Sequence, residues 1–315
     1  MPVAFDNGIS SGYESRVKDQ DFRRTSVLVW LRALRPQQWS KNLLVPVPLL
    51  CAHAWGDHEL IAKTGLATGA MCLAASAVYL VNDVIDRDRD RAHPRKCERP
   101  IAGGRIGPVA ALVVAVLLAF AAEGIAFCAA PDAAIGIAIY LFASLAYCLL
   151  LRRLAMVDLF ALAGLYTLRM VVGGLATGIV LSPWLASFSL FIFLSLSCAK
   201  RHAEVRLSAA DAHATDRFGR DYRAGDAPLL LALGTATAVA SAVILAIYLF
   251  AEVEHHYRHP AWLYPALPLE LLWISRLWLF AARGRLDLDP IAFALRDPTT
   301  LVIAATIVML GVLSA

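Results

Sequence analysis

The chain has 315 residues, of which 59% are hydrophobic and only 17% charged, with a formal net charge of +4. That composition lies outside the range of ordinary soluble domains and places the chain among polytopic membrane proteins. The small positive balance gives no support for a nucleic-acid partner; it fits basic loops lying near anionic lipid or phosphate.

A bilayer core about 30 Å thick takes about 20 apolar residues per helix, and nine runs approach that length. Residues 1–29 are polar, lack the apolar stretch of a cleavable signal, and are expected to form a disordered tail; residues 30–315 form the membrane domain. The first run, 38–55, is short and interrupted by Pro46 and Pro48, so a kinked or partly cytosolic helix is expected there. The second, 66–91, ends in a charged extension. After it come 108–130, 133–151, 157–178, 183–206, 228–251, 261–281 and a short 299–314. Lys and Arg fall in alternate loops: seven in 1–41, seven in 86–107, two in 152–153, six in 200–227 and three in 283–296, together 25 of the 29. Basic loops stay on the cytoplasmic side when helices insert. The N-terminus is therefore expected inside and, with nine spans, the C-terminus outside. The six cysteines show no CxxC spacing and read as small packing residues, not as disulfides or zinc ligands.

The charged extension of the second run carries the first chemical signal. If the helix continues through Arg91, then Asp83, Asp86 and Asp90 stand at i, i+3 and i+7, with Asn82 one turn before Asp86. At 3.6 residues per turn these four share a face from which Asp88 is excluded. Pro94 disfavours helix in the residue before it, so the helix should stop near His93. Arg95, Lys96, Arg99 and Arg105 then hang from a loop able to fold back. Carboxylates crowded on one face repel unless a cation joins them, and magnesium takes a few carboxylates together with water and substrate phosphate oxygens. An acidic face overhung by Lys and Arg is thus a candidate diphosphate cradle, the alternative being a self-paired, solvated charged loop.

The stretch "NDVIDRDRD" at 82–90 resembles the first aspartate-rich motif of the UbiA-type prenyltransferase superfamily. The segments "LRPQQWSKNLLVPVPLL" at 34–50, "DRDRAHPRKCERPIAGG" at 88–104, "VDLFALAGLYTLRMVVGGLATGI" at 157–179 and "SLSCAKRHAEVRL" at 195–207 are similar to the decaprenyl-phosphate phosphoribosyltransferase branch. The resemblance runs from Trp30 to the end of the chain. It implies an all-α integral membrane protein, about nine helices around a cytoplasm-facing cavity, with Mg2+ as cofactor. It also implies phosphoribosyl transfer from phosphoribosyl diphosphate to a polyprenyl phosphate in the bacterial inner membrane, the alternative being prenyl transfer from a prenyl diphosphate to an aromatic or other acceptor. Asp83, Asp86 and Asp90 would be catalytic and, with Asn82, bind the metal; Lys96 and Arg99 would neutralise the diphosphate. Lys41 and Asn42 are implied to approach the phosphoribosyl diphosphate.

Farther along, Asp158 and Arg169 share a face, about 16 Å apart along the axis at 1.5 Å per residue. Arg169 lies deep in its span, where an unpaired cation is costly; it is expected to face the interior and hold Asp158 or a substrate phosphate. Gly173, Gly174 and Gly178 beyond it allow close helix packing. Lys200 and Arg201 stand at i+4 and i+3 spacing to Glu204. Aromatic-acceptor relatives usually carry a DxxxD motif in this loop, whereas Asp211, Asp216, Asp221 and Asp226 rotate around a helix and cannot form one face. A single carboxylate, Glu204, between two cations suits one metal and a further phosphate. Arg276 is near enough to Arg283 and the end of its span to reach the interface by snorkelling and is left out of the site, and 286–298 has no assigned role.

Overall fold

A computed structural model describes residues 27–93, 96–209, 221–253, 257–286, 290–294 and 296–315. Every regular element among them is helical. A helical stretch at 27–34 leads into a 3-10 segment, Pro36–Leu44, and then α1 (Val47–Cys51), α2 (His58–Ile85), α3 (Arg87–Arg91), α4 (Pro108–Ala129), α5 (Pro131–Leu149), α6 (Val157–Thr177) and α7 (Pro183–Ala209). The chain closes with α8 (Ala227–Ala251), α9 (Ala266–Ala282), α10 (Pro290–Ala294) and α11 (Pro298–Ser314).

Among the described residues seven helices, α2 and α4 to α9, are long and apolar enough to cross a membrane, α8 and α9 with their preceding turns from Ala224 and Pro260; α11 is apolar but shorter. The expected first span is the point of difference. Residues 38–55 do not make one helix: the 3-10 segment carries Gln37, Gln38, Lys41 and Asn42, Pro46 and Pro48 set the start of α1, and its five residues are followed by His53 in left-handed backbone (φ 55°). The second span starts earlier than expected because Asp57 caps it, its Oδ1 accepting from the N–H of Glu59 (2.9 Å) and Leu60 (3.2 Å). It also breaks briefly at Asp86 (φ −88°, ψ 3°) before α3 resumes.

The described residues divide into two compact units, 27–40 with 72–122, and 41–71 with those from 123 onward. In the first, small residues let helices approach: Val29, Ala33, Ala77, Leu80, Ile101, Ile106, Ala111 and Ala115 form its core. Lipid is as apolar as Leu, so close packing and buried hydrogen bonds, not water exclusion, hold such helices together. One such bond chain fixes the entry segment: Trp39 Nε1 donates to Ser76 Oγ (3.0 Å), which donates to the Leu34 carbonyl (2.9 Å).

The second unit centres on α6, α7, α8 and α9, with Leu159, Met170, Ile192, Leu196, Leu230 and Ile274 in its core. One tight node joins three helices. A Cβ on Gly234 would sit 2.1 Å from Cζ2 of Trp278. The indole Nε1 donates to Ser195 Oγ (2.9 Å), which donates to the Gly234 carbonyl (2.7 Å). The expected close packing is present at Gly173 and Gly174, where a Cβ would lie 1.9 Å from the Val45 carbonyl oxygen and 2.7 Å from that of Ile179, but not at Gly178, which has open space beside it and ends α6 in left-handed backbone (φ 73°).

Candidate active site

In the first unit, the end of α2 and the short α3 keep the i to i+4 hydrogen bonds Asp86 N to Asn82 O (2.9 Å) and Asp90 N to Asp86 O (2.8 Å) across the break. The expected face therefore survives it. Asp83 and Asp90 are each 2% exposed, Asn82 and Asp86 are half-buried, and Asp88 is exposed. Arg99 folds back from the loop, and one nitrogen, Nη1, touches both buried carboxylates, Asp90 Oδ2 at 2.5 Å and Asp83 Oδ1 at 3.4 Å. Arg35 Nη2 donates to Asp83 Oδ1 as well (2.5 Å), its guanidinium 5.3 Å from the Tyr79 ring centre. Arg35 was not among the expected residues. It precedes Pro36 and adopts a left-handed backbone (φ 54°), a strained state for a residue with a side chain. Asp86 turns to Arg89 (3.9 Å) and Asp88 to Arg91 (3.8 Å). Lys96 is half-buried in the following turn, and Arg95 lies outside the described residues.

The donor chemistry fits magnesium. Asp83 and Asp90 both reach a single cationic atom, so they are near enough to share a cation. Magnesium is commonly held by one or two carboxylates plus substrate phosphates. Among the described residues no group of three or more His, Cys, Asp or Glu is arranged as an all-protein metal cage, so substrate oxygens would have to complete such a site.

The second unit carries a separate charged cluster. Asp158, at the start of α6, and Glu204, on α7, both pair with the buried Arg201, whose Nε meets Asp158 Oδ2 and whose Nη1 meets Glu204 Oε2, each at 2.5 Å. Arg201 Nη2 donates to the Tyr147 hydroxyl (2.9 Å). Asp158 takes a further bond: Tyr222 Oη donates to its Oδ1 (2.5 Å) while accepting the Met156 N–H (2.8 Å). Burial, followed by that bond to Asp158, raises the Tyr222 hydroxyl above its ordinary pKa, so it stays protonated and donating. Met156 itself (φ 68°, ψ −48°) forms a strained three-residue turn, with Val157 N–H bonded to the Ala155 carbonyl at 2.8 Å.

Asp158 thus pairs with Arg201, and the alternative pairing with Arg169 is overturned. Arg169 instead donates to Asn42 Oδ1 (3.1 Å), the Leu165 carbonyl (2.5 Å) and the Tyr140 hydroxyl (3.1 Å). Lys41 and Asn42 are both buried, and Lys200 is half-buried. Of the evenly spaced aspartates, Asp211 and Asp216 lie outside the described residues, Asp221 is exposed, and Asp226 accepts the Arg223 N–H (2.8 Å). Arg276 Nη2 donates to Asp297 Oδ1 (2.8 Å), and Asp297 also caps α11 through Thr300 N–H (2.9 Å). That gives Asp297, within the unassigned 286–298 segment, a structural role.

Helices long and apolar enough to cross a membrane, with carboxylate and guanidinium clusters buried among them, define, among the described residues, an integral membrane protein with a polar site. The chain belongs to the UbiA prenyltransferase family, whose profile matches residues 43–296. It is 41% identical over 281 residues to the uncharacterized protein y4nM of Sinorhizobium fredii, an alignment covering 88% of this chain and 54% of that protein. It is 40% identical over 182 residues to the decaprenyl-phosphate phosphoribosyltransferase of Mycobacterium tuberculosis, covering 56% of this chain and 60% of that enzyme. The chain therefore spans little more than half the length of these relatives. A UbiA homolog from Archaeoglobus fulgidus, solved bound to GPP and Mg2+, shares the fold with a TM-score of 0.69 at 13% identity, over 91% of this chain and 99% of that one.

Proposed function

We propose that the chain moves a phosphoribosyl group from phosphoribosyl diphosphate to a polyprenyl phosphate, with magnesium, at the cytoplasmic face of a bacterial inner membrane. The observation that carries this choice over prenyl transfer is the second cluster. There Asp158 and Glu204 are held by a guanidinium that is itself 1% exposed, whereas Arg99 on Asp83 and Asp90 is 27% exposed and comes from a loop; the first acidic pair can exchange its arginine for a metal and the second is locked, which favours one metal over two. The similarity to decaprenyl-phosphate phosphoribosyltransferases supports the same reading.

Bound magnesium would supply charge neutralisation on the donor diphosphate, with Asp83 and Asp90 as ligands and Asp86 and Asn82 at the edge of the same face. Arg99 and Lys96 hold positive charge where the diphosphate gathers electrons as its bond to C1 of the ribose breaks. A phosphate oxygen of the lipid forms the new bond to C1, so no protein nucleophile is required. Lys41, Asn42, Lys200 and Glu204 are the candidate substrate contacts of the second unit, and Arg201 positions the carboxylates beside it.

The test is incorporation of labelled phosphoribosyl diphosphate into the organic phase in the presence of magnesium and polyprenyl phosphate. Asp83→Asn is expected to abolish transfer in a folded protein. Consumption of labelled prenyl diphosphate with an aromatic acid, and none of the phosphoribosyl donor, would replace this reading with prenyl transfer.

A further inference from the structure

Arg169 and Arg201, the two most deeply buried arginines described in the second unit, are answered differently. Arg201 faces two carboxylates. Arg169, 6% exposed and near the middle of α6, has no carboxylate within ion-pair distance among the described residues. Its partners are an amide oxygen, a carbonyl and a phenol. Its guanidinium carbon lies 5.0 Å from the ring centre of Tyr140 and 5.2 Å from that of Tyr166.

Two aromatic faces offset part of the cost of burying a cation, but they leave its charge in place. A cation held inside a membrane bundle without a counter-ion marks a site that takes its counter-ion from outside the chain. The proton inventory points the same way. Guanidinium has five N–H donors, and three bonds use one on each nitrogen, leaving one on each terminal nitrogen. Two such donors in a fixed fork match two oxygens of a phosphoryl group.

The surroundings hold Arg169 in place by design of the backbone. Gly173, one turn along α6, admits the Val45 carbonyl where any Cβ would collide at 1.9 Å. That contact lays the segment after Asn42 against α6, and Asn42 Oδ1 then fixes Arg169 Nε.

We propose that Arg169, held by Asn42 and Tyr140 and flanked by Tyr166, is a binding site for a phosphoryl dianion. The site stands without the transfer reaction; the identity of its ligand, the diphosphate of a water-soluble donor or the monophosphate of a lipid, rests on the proposed function.

The test is thermal unfolding of the purified full chain in detergent, with divalent ions chelated, titrated separately with inorganic pyrophosphate and with polyprenyl phosphate. The wild type is expected to be stabilised by at least one of them. Arg169→Gln should lose that stabilisation, and Arg169→Lys, which keeps the charge but not the fork, should need about tenfold more ligand. The ligand whose effect depends on Arg169 identifies the source of the phosphate. A wild type stabilised by neither, or an Arg169→Lys protein within twofold of wild type for both, overturns the site; the lysine variant decides should the glutamine variant not fold. Phosphate binding that depends on Arg169, in a wild-type chain that transfers no phosphoribosyl group, would keep this site and refute the proposed reaction.

Discussion

Replacing Tyr222 with Phe removes one hydroxyl and two hydrogen bonds. The bond donated to Asp158 ends on a fully buried carboxylate, and a hydrogen bond to a charged group contributes about 1.5–3 kcal/mol. The bond accepted from the Met156 N–H adds about 1 kcal/mol. It also holds a strained turn that has reason to relax once released. The expected loss is about 2–4 kcal/mol. For a chain longer than 200 residues, at about 2 °C per kcal/mol, the melting temperature of the purified protein should fall by about 4–8 °C. Because the Tyr222 pKa is raised, its contribution is present below the ordinary tyrosine value of 10 and is lost as pH rises beyond it. The gap between wild type and Tyr222→Phe should therefore be constant through neutral pH and close in alkali. A double-mutant cycle with Asp158→Asn should show a coupling of about 1 kcal/mol or more. Additive effects, or an unchanged melting temperature in Tyr222→Phe, would refute the bridging role.

Three further outcomes are expected. Gly234→Ala places a methyl group against the Trp278 ring and should cost about 1–3 kcal/mol by overpacking, read as a lower melting temperature; Trp278→Leu in the same chain should recover part of it. Asp297→Ala removes the cap of α11 and the partner of Arg276, a loss of about 1 kcal/mol from the cap alone. Burial opposes ionisation of Asp297, but bonds from Thr300 and the charge of Arg276 hold its pKa below the ordinary 3.8, so its contribution is present above that value and disappears in acid. Chelation of divalent ions should stop phosphoribosyl transfer and added magnesium restore it; full turnover in chelator would remove magnesium from the proposal.

What the sequence made legible is what a periodicity or a length decides. Seven of the nine apolar runs are long enough to form spans, and Asp83 and Asp90 turn inward together while Asp88 does not, because i and i+7 fall on one side whatever the tertiary context. Pairing between elements obeys no such rule. Asp158 and Arg169 share a face, yet the roughly 16 Å between them exceeds the reach of an arginine, and α7 supplies Arg201 instead, 43 residues from Asp158 in sequence. Tyr222 and Arg35 are invisible for the same reason: each meets its carboxylate across 64 and 48 residues, from irregular backbone with no period to read. The two arginines also show how the same residue type divides by surroundings. A guanidinium delivered to two acids becomes part of the scaffold, whereas one lodged between tyrosine rings keeps its charge for an incoming anion, and only the partners, not the spacing along the helix, tell them apart.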